Sequence, residues 1–334
     1  MKQKMKQIIP DFLFDVLNEK RKLIQNRFLF KRDKKRFLKY YSRKNSTICE
    51  QIKAKILFYS HSIEKGLSHE NIRLGFGKKT ILYLLDNMSI YSKNNYDLED
   101  PVYLNAVSIV KEYVHLHKNN SFNINYIPKK YEKLVKDCEN SSLSLGGIKK
   151  FSSTTENRNK YRNFEELALN RHSVRDFSER PVDVSLIQSS IQIATKSPSV
   201  CNRQSSRVYI LRDKDKIAKA LQIQGGFNGY EIPPCLIAVT TDTRYFVNIT
   251  ERNQIYIDGG IFGMSLLYAL EYNDLATCAL NMMFDSTKEK KTRSLLGVPT
   301  YENFIMYIAV GHFKDHYTVP KSFRLKQKQI TTYL

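Results

Sequence analysis

Three short stretches in the second half of the chain carry side chains able to hold a phosphate and read the edge of a flat heterocycle. The first is Arg171-His172-Ser173-Val174-Arg175-Asp176-Phe177. Two guanidiniums and a hydroxyl within five residues suit a phosphate, because arginine's planar fork meets its oxygens two at a time. In an extended or turning backbone Arg171, Ser173 and Arg175 project to one side, since side chains alternate with period two. The second is Ser197-Pro198-Ser199-Val200-Cys201-Asn202-Arg203-Gln204, whose Ser, Asn and Gln offer both donors and acceptors. The third, Val319-Pro320-Lys321-Ser322-Phe323-Arg324-Leu325-Lys326, follows Gly311 near the end. Taken singly, these read equally as a basic surface loop, a capped turn and an ordinary basic terminus. Their order and spacing set them apart.

The elements that must position them alternate between helix and strand. Phe164 to Asn170 predicts a short helix ahead of Arg171, and Val184 to Thr195 another, with Leu186, Ile187, Ile191 and Ala194 on one face. Val208–Leu211 and Cys235–Thr240 read as strands, and Phe304–Val310 as a central strand. Ile255 to Tyr272 is a long helix, apolar on most sides and interrupted by Gly259, Gly260 and Gly263. Such a helix belongs inside a core or a subunit interface, where its small residues let another backbone approach. The fold class is α+β, with helices around a largely antiparallel sheet.

The first half reads as helical: 8–45, then 48 to about 92 with breaks at Gly66 and Leu74-Gly75-Phe76-Gly77, then a helix opened by Pro101. Residues 118–160 are rich in Asn, Ser and Lys and read as an irregular connection. The expected organisation is a basic helical arm (1–45), a helical accessory region (46–150), a linker (151–163) and a cofactor-binding domain (164–334). His61-Ser62-Ile63-Glu64-Lys65-Gly66-Leu67 and Arg73-Leu74-Gly75-Phe76-Gly77 are open to two readings. They could cap the site or bind a partner, or they could simply end packing helices at glycine.

Composition excludes several classes. With 334 residues, 42% of them hydrophobic, the chain can bury a core. No apolar run approaches the roughly 18 residues of a membrane span, and no secretory signal is evident. Five scattered cysteines without a Cys-x-x-Cys pair fit reduced, cytoplasmic thiols. His-Glu-x-x-His and paired Cys/His spacings are absent, so no metal site is expected. Cys201 reads as a small apolar filler in preference to a reactive thiol. The net charge is +21, and residues 1–45 hold 15 Lys/Arg against 4 Asp/Glu. That arm could meet an anionic membrane surface or an acidic partner, or be only a solvated helix; nothing in the chain reads nucleic-acid sequence.

The ordered set of motifs resembles the nitroreductase family of FMN enzymes. That family opens with an Arg-Arg-Ser-x-Arg-like motif, continues with a Pro-Ser-x-x-Asn-x-Gln loop and closes with a basic residue; here these are Arg171–Arg175, Pro198–Gln204 and Arg324. Ile257-Asp258-Gly259-Gly260-Ile261 is similar to the start of the family's long central helix. The resemblance implies a nitroreductase-like fold, FMN as cofactor, NADH or NADPH as transient hydride source, a small-molecule substrate, and a homodimer with FMN at the interface. Arg171, Ser173 and Arg324 would hold the phosphate and ribityl chain, with Lys326 a weaker candidate and His172 packing among them. Arg175 would lie at the flavin's pyrimidine end, Asn202 would read that ring with Ser199 and Gln204 lining the same loop, and Asn281 would pass beside the flavin. No side chain is nominated as catalytic acid or base, because the flavin is the reacting centre. Two departures are Ser205-Ser206-Arg207 in place of the family's proline and aromatic residue, and Asp274 where a glycine is usual. An alternative is a catalytically silent flavin-fold protein tethered through its basic arm.

Overall fold

The computed structural model describes residues 11–40, 42–43, 45–152, 163–247 and 249–334. Most of the expected linker therefore lies outside the described residues. The helices are α1 (Asp11–Tyr40), α2 (Cys49–Leu67), α3 (Lys78–Lys93), α4 (Pro101–Asn119), α5 (Glu132–Glu139), α6 (Phe164–Asn170), α7 (Val184–Ala194), α8 (Lys214–Gln224), α9 (Gln254–Tyr272), α10 (Ser286–Leu296) and α11 (Gln327–Ile330). The strands are β1 (Ile148–Ser152), β2 (Ser206–Leu211), β3 (Cys235–Asp242), β4 (Leu275–Asn281), β5 (Glu302–His312) and β6 (His316–Pro320).

Helices α2 to α5 enclose one core. Ile52, Ile56 and Ile63 recur at helical spacing on one face of α2 and pack with Leu84, Leu85 and Tyr113. The Asp100 side chain accepts from Val102 N at 2.9 Å and caps α4, whose first position is Pro101. Helix α1 is different: Phe12, Leu23 and Phe28 on it stay exposed. An ion pair from Arg252 Nε to Asp33, at 2.9 Å, joins α1 to the turn before α9.

Residues 118–160 are not an irregular connection throughout. They contain α5 and β1, and β1 pairs antiparallel with β6 from the far end of the chain. Phe151 stacks on Tyr317 across that pair at 5.0 Å. The pairing is non-local, which is why the local Asn/Ser/Lys composition conceals it.

The second core is a four-stranded antiparallel sheet, order β2-β3-β5-β4. The central strand expected at Phe304–Val310 is β5; β3 beside it is buried along its whole length. Side chains alternate between faces. Ile237 and Val239 meet α7 and α9. Leu236 and Ala238 meet α8 and the β6 end of the chain. Helix α9 lies against the sheet because Gly259 has no side chain; a Cβ there would stand 2.6 Å from Ile305 and from the Thr241 hydroxyl. Gly260, on the outer side, has nothing near it, and Tyr256, Ile257 and Ile261 are exposed. The turn from α9 into β4 needs a left-handed residue, and Asp274 takes it at φ 59°. That is the conformation a glycine would adopt most easily.

Candidate functional site

The Arg171–Arg175 stretch is laid along the edge of the sheet. Helix α6, capped by Asn163 through Glu166 N at 2.9 Å, ends at Arg171, where the backbone becomes extended. Ser173 bridges Thr277 of β4, and Val174 N donates to Thr277 O at 2.9 Å. Gly311 lets Phe177 cross β5, since a Cβ there would stand 2.6 Å from Phe177. Arg171, Ser173 and Arg175 all surround the buried Cys278: burial pushes its thiol pKa up, against the charges of Arg175, Lys65 and Arg171 and a hydrogen bond with Ser173.

Arg175 is the most enclosed of these cations, at 7% exposure. Its Nη1 reaches Ser173 O at 3.4 Å, and its Nε has no hydrogen-bond partner. Among the described residues neither Arg171, Arg175 nor Arg324 forms an ion pair with a carboxylate. A buried guanidinium without a counter-charge is costly unless an anion answers it.

Arg324 comes within electrostatic reach of this stretch from the tail. It follows β6 in a turn where Ser322 is left-handed (φ 51°), and its Nη1 donates to Ser322 O. Its charge reaches His172, whose pKa falls to about 4 through burial first and then Lys149, Arg171 and Arg324. The His172 ring lies 5.4 Å from the Phe151 ring. Lys326 is exposed and opens α11.

Helix α2 supplies three further residues whose role the sequence left open. His61 is exposed, yet lost hydration and then Arg175, Lys65 and Arg324 push its pKa down to about 4. Glu64 is buried and accepts from Gly147 N at 2.9 Å. Burial raises its pKa to about 7, opposed by hydrogen bonds from the Gly147 and Ser322 backbones and by Lys321 and Arg324. Lys65 Nζ donates to Gly226 O at 2.9 Å. Only the charged His61–Leu67 pattern, ending at Gly66-Leu67, hinted at this in the sequence.

The Ser197–Gln204 loop is held in a strained form. Cys201, Asn202 and Gln204 have φ of 49°, 53° and 51°; asparagine tolerates this conformation, whereas it costs residues such as Cys201 and Gln204 about 1–2 kcal/mol each. Such strain persists where surroundings over-determine it. Here Val200 N donates to the buried Asp258 carboxylate at 3.1 Å, and Gln204 N donates to Ser199 Oγ at 3.0 Å. Arg203 closes the loop on Glu251 at 3.0 Å. Ser199, Gln204, Asp258 and Phe262 line a cavity of about 170 Å³. Asn202 is exposed, and so is Cys201, which corrects the apolar-filler reading: the left-handed backbone turns the thiol outward.

Within one chain the two groups stay apart. The loop leads into β2, the cation cluster borders β4, and β3 and β5 lie between. At the usual strand spacing, β2 and β4 are roughly 14 Å apart. Asn281, exposed at the end of β4, accepts from Gln224 Nε2 through its backbone carbonyl at 3.1 Å.

Residues 168–242 match a family model described as the nitroreductase family, a span that takes in both Arg171–Arg175 and Ser197–Gln204. A nitroreductase family protein from Clostridium difficile 630 is 21% identical, with a TM-score of 0.43 over 52% of this chain and 98% of that one. A nitroreductase with bound FMN from Desulfitobacterium hafniense DCB-2 is 21% identical, with a TM-score of 0.39 over 51% of this chain and 97% of that one. An FMN-dependent nitroreductase from Clostridium difficile R20291 is 18% identical, with a TM-score of 0.40 over 45% and 87%. No curated protein matches the chain. The chain carries a nitroreductase-family domain, matched over residues 168–242.

Proposed function

We propose that this protein is an FMN-dependent oxidoreductase acting on a small organic substrate, with NADH or NADPH as hydride source. The observation that supports this best is that Arg171, Arg175 and Arg324 have no ion-pair partner among the described residues, above all the buried Arg175 whose Nε has no hydrogen-bond partner. A phosphate would sit on the exposed side of that cluster, where Arg171, Ser173 and Arg324 would grip it and Lys326 would add charge. Arg175 would lie at the pyrimidine end, where its positive charge favours an electron-rich ring. The chemistry FMN supplies when bound is two-electron exchange between nicotinamide and substrate.

The other contacts would come from a second copy. In a homodimer packed through the exposed Tyr256, Ile257 and Ile261 of α9, the partner's Ser199–Gln204 loop would reach the cation cluster that its own sheet separates it from. Strain at Cys201 and Gln204 would then serve to present the Asn202 amide and the loop's polar groups at a fixed angle. Asn281 would border the same pocket. Residues 46–150 would form an accessory domain closing the site on the α2 side.

Helix α1 favours a separate role for the arm. It presents exposed Phe12, Leu23 and Phe28 within the basic 1–45 segment, a combination suited to an anionic membrane surface. No described helix is long and apolar enough to cross a membrane. The test of the enzymatic reading is an absorption spectrum of the purified protein followed by anaerobic titration with each nicotinamide. Flavin bands that bleach with NADH or NADPH support it. A yellow protein indifferent to both removes the nicotinamide, and a colourless one that takes up no FMN leaves the catalytically silent tethered alternative.

A further inference from the structure

The cations at this site outnumber the charges FMN brings, and the surplus comes from α2. A phosphate monoester carries about −1.5 to −2, which Arg171 and Arg324 answer, while Arg175 answers the pyrimidine end. Lys65 is then left over. Its ammonium meets only a neutral carbonyl, Gly226 O at 2.9 Å, and no carboxylate among the described residues pairs with it. An ammonium has three donors, so two are unused by protein.

Lys65 is also held in place on two sides. Gly226 N donates to Gln224 Oε1 at 2.6 Å, and Gln224 Nε2 donates to Asn281 O at 3.1 Å, so a chain of hydrogen bonds links Lys65 to the end of β4. On the other side, neighbouring Glu64 accepts from Gly147 N at 2.9 Å, and Gly147 O accepts from Lys321 N at 3.0 Å in the turn that leads to Arg324. Tyr230 OH donates to Lys65 O at 2.7 Å and fixes the end of the helix. His61, one helical turn before Lys65, falls on the same face and is exposed. Lys65 also lies within electrostatic reach of Arg175, whose charge, after burial, pushes the Lys65 pKa down.

Building on the flavin reading, we propose that Lys65, with Arg175 beside it and His61 at the entrance, anchors an anionic group of the second substrate, a carboxylate or a phosphate. The accessory helix thereby sets substrate charge while the nitroreductase-family domain holds the cofactor.

The test uses full-length protein, stripped and reloaded with FMN. FMN content and Kd are measured first by flavin absorbance and fluorescence. The loaded protein is then titrated with benzoate, phenyl phosphate and the neutral benzamide, following perturbation of the flavin spectrum. The wild type should bind at least one of the anions about tenfold or more tighter than benzamide; which anion binds tighter identifies the group. Lys65→Met should lose that preference by about tenfold while its FMN Kd stays within about threefold, and Lys65→Arg should restore it. Lys65→Gln serves if Lys65→Met does not fold. A loaded Lys65→Met protein that still prefers the anion overturns the proposal, as does loss of FMN itself, which would make Lys65 part of the cofactor grip. A wild type that takes up no FMN overturns both this proposal and the flavin reading beneath it.

Discussion

Arg324, in the C-terminal tail, lies within electrostatic reach of His172, the residue directly after Arg171. Burial and the charges of Lys149, Arg171 and Arg324 together push the His172 pKa down to about 4. Burial lowers this pKa most, and the three cations lower it further, so His172 adds no charge of its own beside them. Arg324 also acts on His61 of α2, so the tail, the β4 edge and the accessory helix share one positive field.

Glu64 gives this convergence a pH signature. Its pKa is raised from 4.5 to about 7, chiefly by burial. Because the folded value is raised, the stability it contributes is full below about pH 4.5 and is lost as pH rises through 7. Glu64→Gln keeps an acceptor for Gly147 N without the ionisation. Urea unfolding of both proteins at pH 5 and pH 8 should show the variant gaining on the wild type by about 3 kcal/mol at the higher pH. Parallel pH curves would remove Glu64 as a buried titrating group.

How much of this could be read from sequence depended on where each residue's partners lie. That Arg171, Ser173 and Arg175 lie together in an extended stretch was legible because their spacing is local and a capped helix precedes them. The β5 strand and α9 were legible from long apolar runs. Strand β1 was not, because Phe151 finds Tyr317 only after the chain has returned from its far end. Helix α10 carries no apolar stripe to announce it, its single buried residue being Thr292. The left-handed backbone at Cys201 runs against the residue's own preference, and it is held by Asp258 from another element, so no local pattern announces it. The place of Lys65 was hidden for the same reason: Gly226, its partner, lies in the other half of the chain.

The strained loop predicts the sign of a substitution. Cys201→Gly removes the left-handed penalty and should raise stability by about 1 kcal/mol, whereas Cys201→Val should lower it by at least as much. Thermal unfolding of the three proteins measures this. Equal midpoints would mean the loop is not held as described.

Thiol chemistry offers an independent reading of the same loop. Cys201 is exposed, whereas Cys138 and Cys235 are buried with pKa values pushed up to about 12 by loss of hydration. A water-soluble disulfide reagent should therefore label Cys201 far faster than Cys138, Cys235 or Cys278. If a partner's loop covers the flavin, loading with FMN should slow that labelling about fivefold or more, by exclusion of the reagent. Mass mapping that finds Cys201 unlabelled, or labelled equally with and without FMN, would count against the loop's placement.

The exposed face of α9 predicts an assembly. Ile257→Glu places a charge on a surface now apolar, and burying it without a partner would cost several kcal/mol. The variant should sediment as a monomer where the wild type is a dimer, and its FMN affinity should fall about tenfold or more. A wild type that is monomeric yet binds FMN fully would show that one chain completes the site alone.

The most direct test of the central claim is FMN uptake by the wild type and by the double variant Arg171→Ala, Arg324→Ala. Both are stripped of flavin, titrated with FMN, and checked for fold by circular dichroism. The account predicts saturable uptake by the wild type and loss of retention in the double variant, with an unchanged dichroism spectrum. Unaltered flavin content in the folded double variant would contradict it.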